Sequence, residues 1–273
     1  MNIETMIEEY TKIGYNYEDA SSKVCQDILL LKISTSSFSK HITIKGGVVI
    51  HSISKDIRRA TRDLDLDFIK YSLGNDSIIS FIDKLNNVKD GIQISIIGTI
   101  KKLHHQDYDG KRVNIKLVDS FGYDINTKLD IGVHKNFDIK QDEYCFSFDI
   151  IDKSANLLIN SKEQIFTEKL KSLLKLGFRS TRYKDLFDFY YLINMSGIDK
   201  EKLLNCLDIL IFKDENMREK NINDILSRLN QILSSQWYYN MLNDSKVNWL
   251  NLPINEVITN VLEYFNSLES IEV

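Results

Sequence analysis

Residues 59–68 read RATRDLDLDF, a short run in which leucine or phenylalanine alternates with aspartate. Successive side chains of a β-strand point to opposite faces of the sheet, so Leu64, Leu66 and Phe68 are predicted to face the core. The side chains that would project from the other face are Asp63, Asp65 and Asp67. Aligned carboxylates repel each other by up to about 4 kcal/mol per pair at 4 Å in a protein-like dielectric. The run therefore indicates either a metal-binding carboxylate pair or the charged outer face of an edge strand.

A diglycine turn precedes this strand. Residues 43–50 read TIKGGVVI and predict a strand that passes through Gly46 and Gly47 into a helix. Backbone N–H groups of two consecutive glycines can approach a phosphate closely, and the N-terminus of the following helix favours negative charge. A tight strand-to-helix turn without a ligand is the alternative interpretation.

A further candidate carboxylate, Asp130, lies in the strand predicted over residues 126–133, NTKLDIGV. Alternation places Asp130 opposite Leu129 and Ile131, on a polar face. If this strand neighbours residues 63–67, three carboxylates converge. Two would then hold a metal ion and the third could accept a proton from an attacking hydroxyl. Taken alone, Asp130 is better interpreted as an ordinary surface residue of a strand.

An unusual cation, Lys169, lies on the apolar stripe of the helix predicted over residues 162–176, four residues from both Ile165 and Leu173. Burying a cation without a partner is costly, so an anion is expected beside it. Asp185, in the helix predicted over residues 183–195, is the structural candidate, and a triphosphate is the functional one. The two interpretations are compatible.

The order of the predicted elements indicates an α+β fold. Two helices open the chain, strands with short helices between them follow from residue 41, and helices alone follow from residue 161. We expect a mixed-sheet domain flanked by helices over residues 1–158 and a helical C-terminal domain over residues 159–273. The adjacent His104 and His105 cannot point to one face of a strand and are interpreted as surface residues.

The composition excludes several classes of protein. The chain has 273 residues, 43% of them hydrophobic, and a net charge of −4, so it is neither disordered nor a basic nucleic-acid coat. No apolar run is long enough to cross a bilayer, residues 1–20 lack a signal-peptide pattern, and the three cysteines are scattered. We therefore expect a cytoplasmic protein with no membrane partner. A local basic run over residues 162–184 is either a solvated helix face or a site for an RNA backbone.

Taken together, these motifs resemble the nucleotidyltransferase AbiEii/AbiGii toxin family of type IV toxin–antitoxin and phage abortive-infection systems. The residues that carry the resemblance are Lys45-Gly46-Gly47, Arg59-x-Thr61-x-Asp63-Leu64-Asp65, Asp130, Glu163 to Lys169, and Arg182-x-Lys184-Asp185-Leu186-Phe187-Asp188. Members of the family are similar to the DNA polymerase β-like nucleotidyltransferases. Many of those carry Gly-Ser where this chain has Gly46-Gly47, so here phosphate contact would depend on backbone amides and on Thr61.

The resemblance implies a role for each matching position. Gly46 and Gly47 would lie on the nucleotide phosphates, with Lys45, Arg59 and Thr61 nearby. Mg²⁺ or Mn²⁺ would be held by the aspartates, Asp63, Asp65 and Asp130. From the helical domain, Lys169 would contact the triphosphate and Asp185 would complete the site. Asp67 is interpreted as charge on the strand face, and whether Asp188 shares the role of Asp185 stays open.

The resemblance also implies the reaction: transfer of a nucleotide from an NTP to an acceptor, either the 3′ end of a tRNA or a protein. A cognate antitoxin would be a partner, and no DNA partner is expected. Two alternatives come from other classes. A glycosyltransferase could use the same DxD motif, but its parallel strands should alternate with helices along the chain. A nucleotide-binding or antitoxin-binding module without catalysis would bind an NTP without turnover.

Overall fold

A computed structural model describes residues 1–103 and 110–269 of the chain. His104 and His105, predicted to be surface residues, lie outside the described residues. Contacts between residues divide the chain into two units, Met1–Asn160 and Ser161–Val273. Since the last strand of the first unit ends at Ile159, the boundary expected after residue 158 falls one residue inside that strand.

The first unit contains a seven-stranded mixed sheet in the order β3-β4-β5-β2-β1-β7-β6. Strands β2 and β5 run parallel, as do β1 and β7, and the other neighbours are antiparallel. Its strands are β1 Ile42–Lys45, β2 Leu64–Phe68, β3 Ile92–Leu103, β4 Gly110–Asp119, β5 Asp124–Val133, β6 Asp142–Ser147 and β7 Ser154–Ile159. The mixed sheet confirms the predicted α+β class and does not fit the parallel sheet that a glycosyltransferase would have.

Four helices accompany this sheet, α1 Ile3–Ile13, α2 Tyr17–Thr35, α3 Gly47–Ser54 and α4 Asn75–Asn86. The first two begin at asparagine caps, Asn2 and Asn16, whose side chains accept a backbone N–H three residues further on. Leu64, Leu66 and Phe68 are completely buried, as the alternation predicts, so the opposite face of β2 carries the aspartates.

The second unit is helical in the residues that the structure describes. Its helices are α5 Lys162–Leu176, α6 Lys184–Tyr191, α7 Lys200–Leu207, α8 Ile222–Leu233, α9 Gln236–Leu242 and α10 Ile254–Glu269. Wider π-helical turns at Leu192–Ser196 and Asp208–Phe212 continue α6 and α7. None of the helices within residues 1–103 and 110–269 combines the length and the apolar character that a membrane crossing requires.

The sequence did not predict strand β7 or helix α9. The β7 segment, SANLLI, has six residues, and its parallel pairing with β1 joins residues more than a hundred positions apart. Helix α9 has seven residues, which is too few for a clear helical period.

Candidate active site

Four charged residues lie side by side in register across neighbouring strands of the sheet. Asp65 of β2 is aligned with Asp130 of the parallel strand β5 and with Lys45 of the antiparallel strand β1. Arg112 of β4 is in turn aligned with Asp130. Residues aligned in this way point to the same face of a sheet, with Cα atoms about 5 Å apart. The row therefore reads Arg112, Asp130, Asp65, Lys45, and two carboxylates lie between two cations.

The other two aspartates of the RATRDLDLDF segment are also paired with lysines. Asp63 immediately precedes β2, and one of its carboxylate oxygens lies 3.0 Å from Lys128 Nζ. Asp67 is only 4% exposed and lies 2.6 Å from Lys45 Nζ. Asp67, interpreted from the sequence as charge on the strand face, is therefore a buried ion-pair partner. Lys45, expected near the nucleotide, has its ammonium beside Asp67.

Arg112 binds Asp130 through two parallel hydrogen bonds. Its Nε lies 2.7 Å from Oδ1 and its Nη2 lies 2.6 Å from Oδ2, the bidentate geometry that suits a guanidinium and a carboxylate. The hydrogen bond to Asp130 raises the pKa of Arg112, and the nearby charges of Asp63 and Asp65 raise it further. Protein cations thus offset the repulsion between the aligned carboxylates. Sequence reasoning missed Arg112 and Lys128, although Lys128 lies two residues before Asp130 on the same strand face.

The diglycine turn lies directly against these side chains. Gly46 has φ 71° and ψ −142°, and a Cβ atom there would lie 2.5 Å from Asp65 Oδ2. A Cβ atom on Gly47 would lie 2.7 Å from Thr61 Oγ1. Glycine is therefore required at both positions, because a side chain on Gly46 would displace Asp65 and one on Gly47 would displace the Thr61 hydroxyl. Gly46 is also the N-cap of α3, and because it has no side chain it cannot accept a hydrogen bond from the first N–H groups of that helix.

The loop before β2 is held in place by α2. Gln26, which is buried, donates its side-chain amide to the Thr61 carbonyl oxygen at 2.7 Å. Arg59 ends a short 3₁₀ turn and is buried as well. Gln26 was not among the predicted site residues, and one polar side chain on a helix gives no local signal of a contact 35 residues away.

The carboxylates do not form a closed metal cluster. Within residues 1–103 and 110–269, no group of three or more histidine, cysteine, aspartate or glutamate side chains is arranged to hold a metal ion. The structure aligns Asp65 with Asp130, but Asp63 is held by Lys128 and Asp130 by Arg112. The donor chemistry still fits Mg²⁺, which takes one or two carboxylates and completes its shell with phosphate oxygens and water.

In the second unit, Lys169 is 4% exposed and lies between two carboxylates, 2.5 Å from Asp185 Oδ1 and 3.0 Å from Asp188 Oδ2. Arg182 binds the other oxygen of Asp185, and the Trp249 indole donates to Asp188. Asp185, the structural partner expected for Lys169, is therefore present, and Asp188 is a second partner of the same lysine. Contact of Lys169 with the triphosphate, and completion of the site by Asp185, stay predictions.

The basic run over residues 162–184 makes several contacts inside the second unit. Lys162 donates to the carbonyl oxygens of Ser196 and Gly197, and Lys171 lies 2.6 Å from Asp214. With Lys169 and Arg182 also paired, these cations have structural partners. The run is accordingly less suited to an RNA backbone than its composition indicates.

Comparison with known proteins supplies the family. A model of the family described as nucleotidyl transferase AbiEii toxin, type IV TA system, matches residues 28–246. The chain belongs to this family. The AbiEii match covers the diglycine turn, Asp63, Asp65, Asp67 and Asp130, and Lys169 with Asp185 and Asp188, and it makes the protein a nucleotidyltransferase of the type IV toxin–antitoxin class.

Two further comparisons add little to the AbiEii assignment. No curated protein matches the chain. Among solved structures, one that is similar is an antigenic nucleotidyltransferase-like protein from Paracoccidioides brasiliensis, with 14% sequence identity and a TM-score of 0.41. That alignment covers 83% of this chain and 96% of the other.

Proposed function

We propose that this AbiEii-family protein transfers a nucleoside monophosphate from an NTP to an acceptor in a reaction that depends on Mg²⁺, with Mn²⁺ as a substitute. The observation that carries the proposal is the register of Asp65 with Asp130, directly beneath a diglycine turn that approaches Asp65. Carboxylates are suited to a metal ion, and the backbone N–H groups at the N-terminus of a helix are suited to phosphates.

The three aspartates Asp63, Asp65 and Asp130 divide two tasks. Asp65 and its in-register neighbour Asp130 would hold the ion, with Asp63 beside them at the start of β2. The ion would neutralise phosphate charge and polarise the α-phosphate. An acceptor hydroxyl forms a new oxygen–phosphorus bond there while the bond to the β-phosphate oxygen breaks and pyrophosphate leaves. A carboxylate of the three that does not hold the ion accepts the hydroxyl proton.

The glycine turn and the loop before β2 would hold the triphosphate. Backbone N–H groups at the start of α3 donate to phosphate oxygens, because the turn contains no side chain that blocks their approach. Thr61 adds a hydroxyl beside Gly47, and Arg59 and Lys45 add positive charge. Gln26 supports this arrangement by holding the Thr61 carbonyl.

The acceptor and the partner are inferred from the family. A type IV toxin requires a cognate antitoxin, and we propose that the acceptor is a tRNA 3′ end or a protein, with growth arrest during phage infection as the outcome. A cytoplasmic location suits all of these partners.

The transfer is tested by incubating the protein with each labelled NTP, Mg²⁺, and either total RNA or total protein. We expect label in one acceptor fraction, loss of that label with EDTA, and loss in Asp65→Asn. The matched control is Asp124→Asn, because Asp124 lies on the same strand as Asp130 but at its other end, 44% exposed and paired with Lys116. Equal transfer by wild type and Asp65→Asn would refute the assignment, and NTP binding without any transfer would favour a non-catalytic module.

A further inference from the structure

Two cations beside the carboxylates, Arg112 and Lys128, have no part in the transfer described above. Arg112 occupies both oxygens of Asp130, and Lys128 lies against Asp63. The side chains of Arg112 and Lys128 are 36% and 40% exposed, whereas that of Asp130 is only 8% exposed. Arg112 therefore approaches Asp130 from the solvent side, whereas Lys128 and Asp63 are both partly exposed, and both cations have room to move.

A metal ion and these cations compete at the carboxylates. A divalent ion held by Asp65 and Asp130 takes lone pairs of Asp130 that the Arg112 guanidinium already occupies, and it adds positive charge next to the Lys128–Asp63 pair. Two like charges at such separations repel strongly, and the hydrogen bonds to the carboxylates must at least be shared. Occupation of the carboxylates by a metal therefore weakens both ion pairs.

Nucleotide binding offers the displaced cations a new partner. A triphosphate adds several negative oxygens next to the row of aspartates, and a guanidinium binds phosphate with the same bidentate geometry that it uses for carboxylate. Arg112 is in register with Asp130, so its guanidinium lies beside one of the carboxylates that would hold the ion.

We propose that Arg112 and Lys128 are exchangeable counter-ions, which hold Asp130 and Asp63 in the metal-free protein and transfer to phosphate oxygens when metal and nucleotide bind. The inference rests on the proposed function. It makes both residues nucleotide-positioning groups, and it makes them competitors of the metal in the absence of nucleotide. Removing either cation must consequently change the metal affinity and the nucleotide affinity in opposite directions.

The test measures the two affinities separately in Arg112→Gln. Binding of Mn²⁺ alone is followed by the electron paramagnetic resonance signal of the unbound ion, and binding of each NTP in saturating Mn²⁺ by calorimetry. Without its competitor, the variant should bind Mn²⁺ about fivefold to tenfold more tightly than wild type, whereas its NTP affinity should fall by a similar factor. Lys128→Gln should show the same pattern, with a smaller change because it loses one ionic contact.

The matched control is Lys116→Gln. Lys116 belongs to the same strand and the same face as Arg112 and is 39% exposed, but it pairs with Asp124 at 3.2 Å, away from the row. The control removes one positive charge as well, so it should leave both affinities within about twofold of wild type. Arg112→Lys, which keeps the charge but not the two parallel hydrogen bonds, should fall between wild type and Arg112→Gln in both measurements.

The inference is overturned if Arg112→Gln binds Mn²⁺ no more tightly than wild type. It is also overturned if the affinities for Mn²⁺ and for NTP fall together in Arg112→Gln and Arg112→Lys, because a residue with a purely structural role gives that result. It is also overturned if Lys116→Gln reproduces the pattern, since general charge would then explain it. Failure of the proposed function is separate, because it appears in wild type as absence of transfer to any acceptor. Wild-type transfer with no opposite changes in the variants overturns only the counter-ion exchange.

Discussion

The contact between the diglycine turn and Asp65 predicts that Gly46→Ala damages the fold and the site together. At Gly46 the backbone has φ 71° and ψ −142°. Residues other than glycine rarely adopt this conformation, and placing alanine in it costs about 2 kcal/mol. The new Cβ would also lie 2.5 Å from Asp65 Oδ2, and relieving such overpacking costs about another 2 kcal/mol. The two terms together lower the stability of the first unit by about 4 kcal/mol.

Thermal unfolding followed by circular dichroism measures this loss. For a unit of this size, about 4 kcal/mol corresponds to a Tm lower by about 12 °C. Gly122→Ala is the matched control, because Gly122 has φ 88° but nothing within 4 Å of an added Cβ. It isolates backbone strain and should lower the Tm by only about 5 °C.

Nucleotide binding separates the two glycines further. With Mg²⁺ present and at a temperature below its Tm, Gly46→Ala should not bind NTP, because Asp65 is displaced. Gly122→Ala should bind NTP as wild type does. If Gly46→Ala lost no more stability than Gly122→Ala and still bound NTP normally, the turn would not pack on Asp65 and the site geometry described here would be wrong.

Two other predictions concern buried charge. Lys169→Met removes a buried cation from Asp185 and Asp188 and should destabilise the protein by about 3 kcal/mol, measured as a lower Tm. Lys213→Met is the control, because the side chains of Lys213 and its partner Asp208 are 70% and 42% exposed, and it should leave the Tm nearly unchanged. Equal effects of the two substitutions on the Tm would contradict the reasoning. Burial lowers the pKa of His51 to about 3, so the unfolded chain binds the extra proton below pH 6.5, and stability falls with decreasing pH by about 1.4 kcal/mol per unit between those values. Urea unfolding between pH 6 and 4 should show this slope in excess over His51→Gln, and parallel curves would exclude it.

Ion pairs explain how the sheet tolerates its aligned aspartates. The sequence indicated either a metal-binding carboxylate pair or the charged outer face of an edge strand along residues 63–67. The structure supplies cations from its own side chains: Lys128 beside Asp63, Lys45 beside Asp67, and a bidentate Arg112 on Asp130. Charge compensation of this kind depends on which strands are neighbours, and the neighbours of β2 come from residues 42–45 and 124–133.

In the helical unit, too, the local sequence pattern predicts some contacts, and others depend on packing. The stripe of apolar residues was sufficient to predict that Lys169 is buried and needs an anion, because helical spacing is a local property. Asp185 was identified by its position on the next helix. The further contacts of that cluster, from Trp249 to Asp188 and from Arg182 to Asp185, depend on the packing of helices and had no signal in the local pattern.

The order of the elements was enough to predict the α+β class, and alternation along one strand was enough to predict the burial of Leu64, Leu66 and Phe68 and the shared face of the aspartates. The register of Asp130 with Asp65, and the lack of room for a side chain on Gly46, became visible only in the tertiary structure. The same holds for the buried pairing of Asp67. Strand order and register join residues far apart in the chain, and the hydrogen bonds and packing that fix them exist only once the whole sheet has formed.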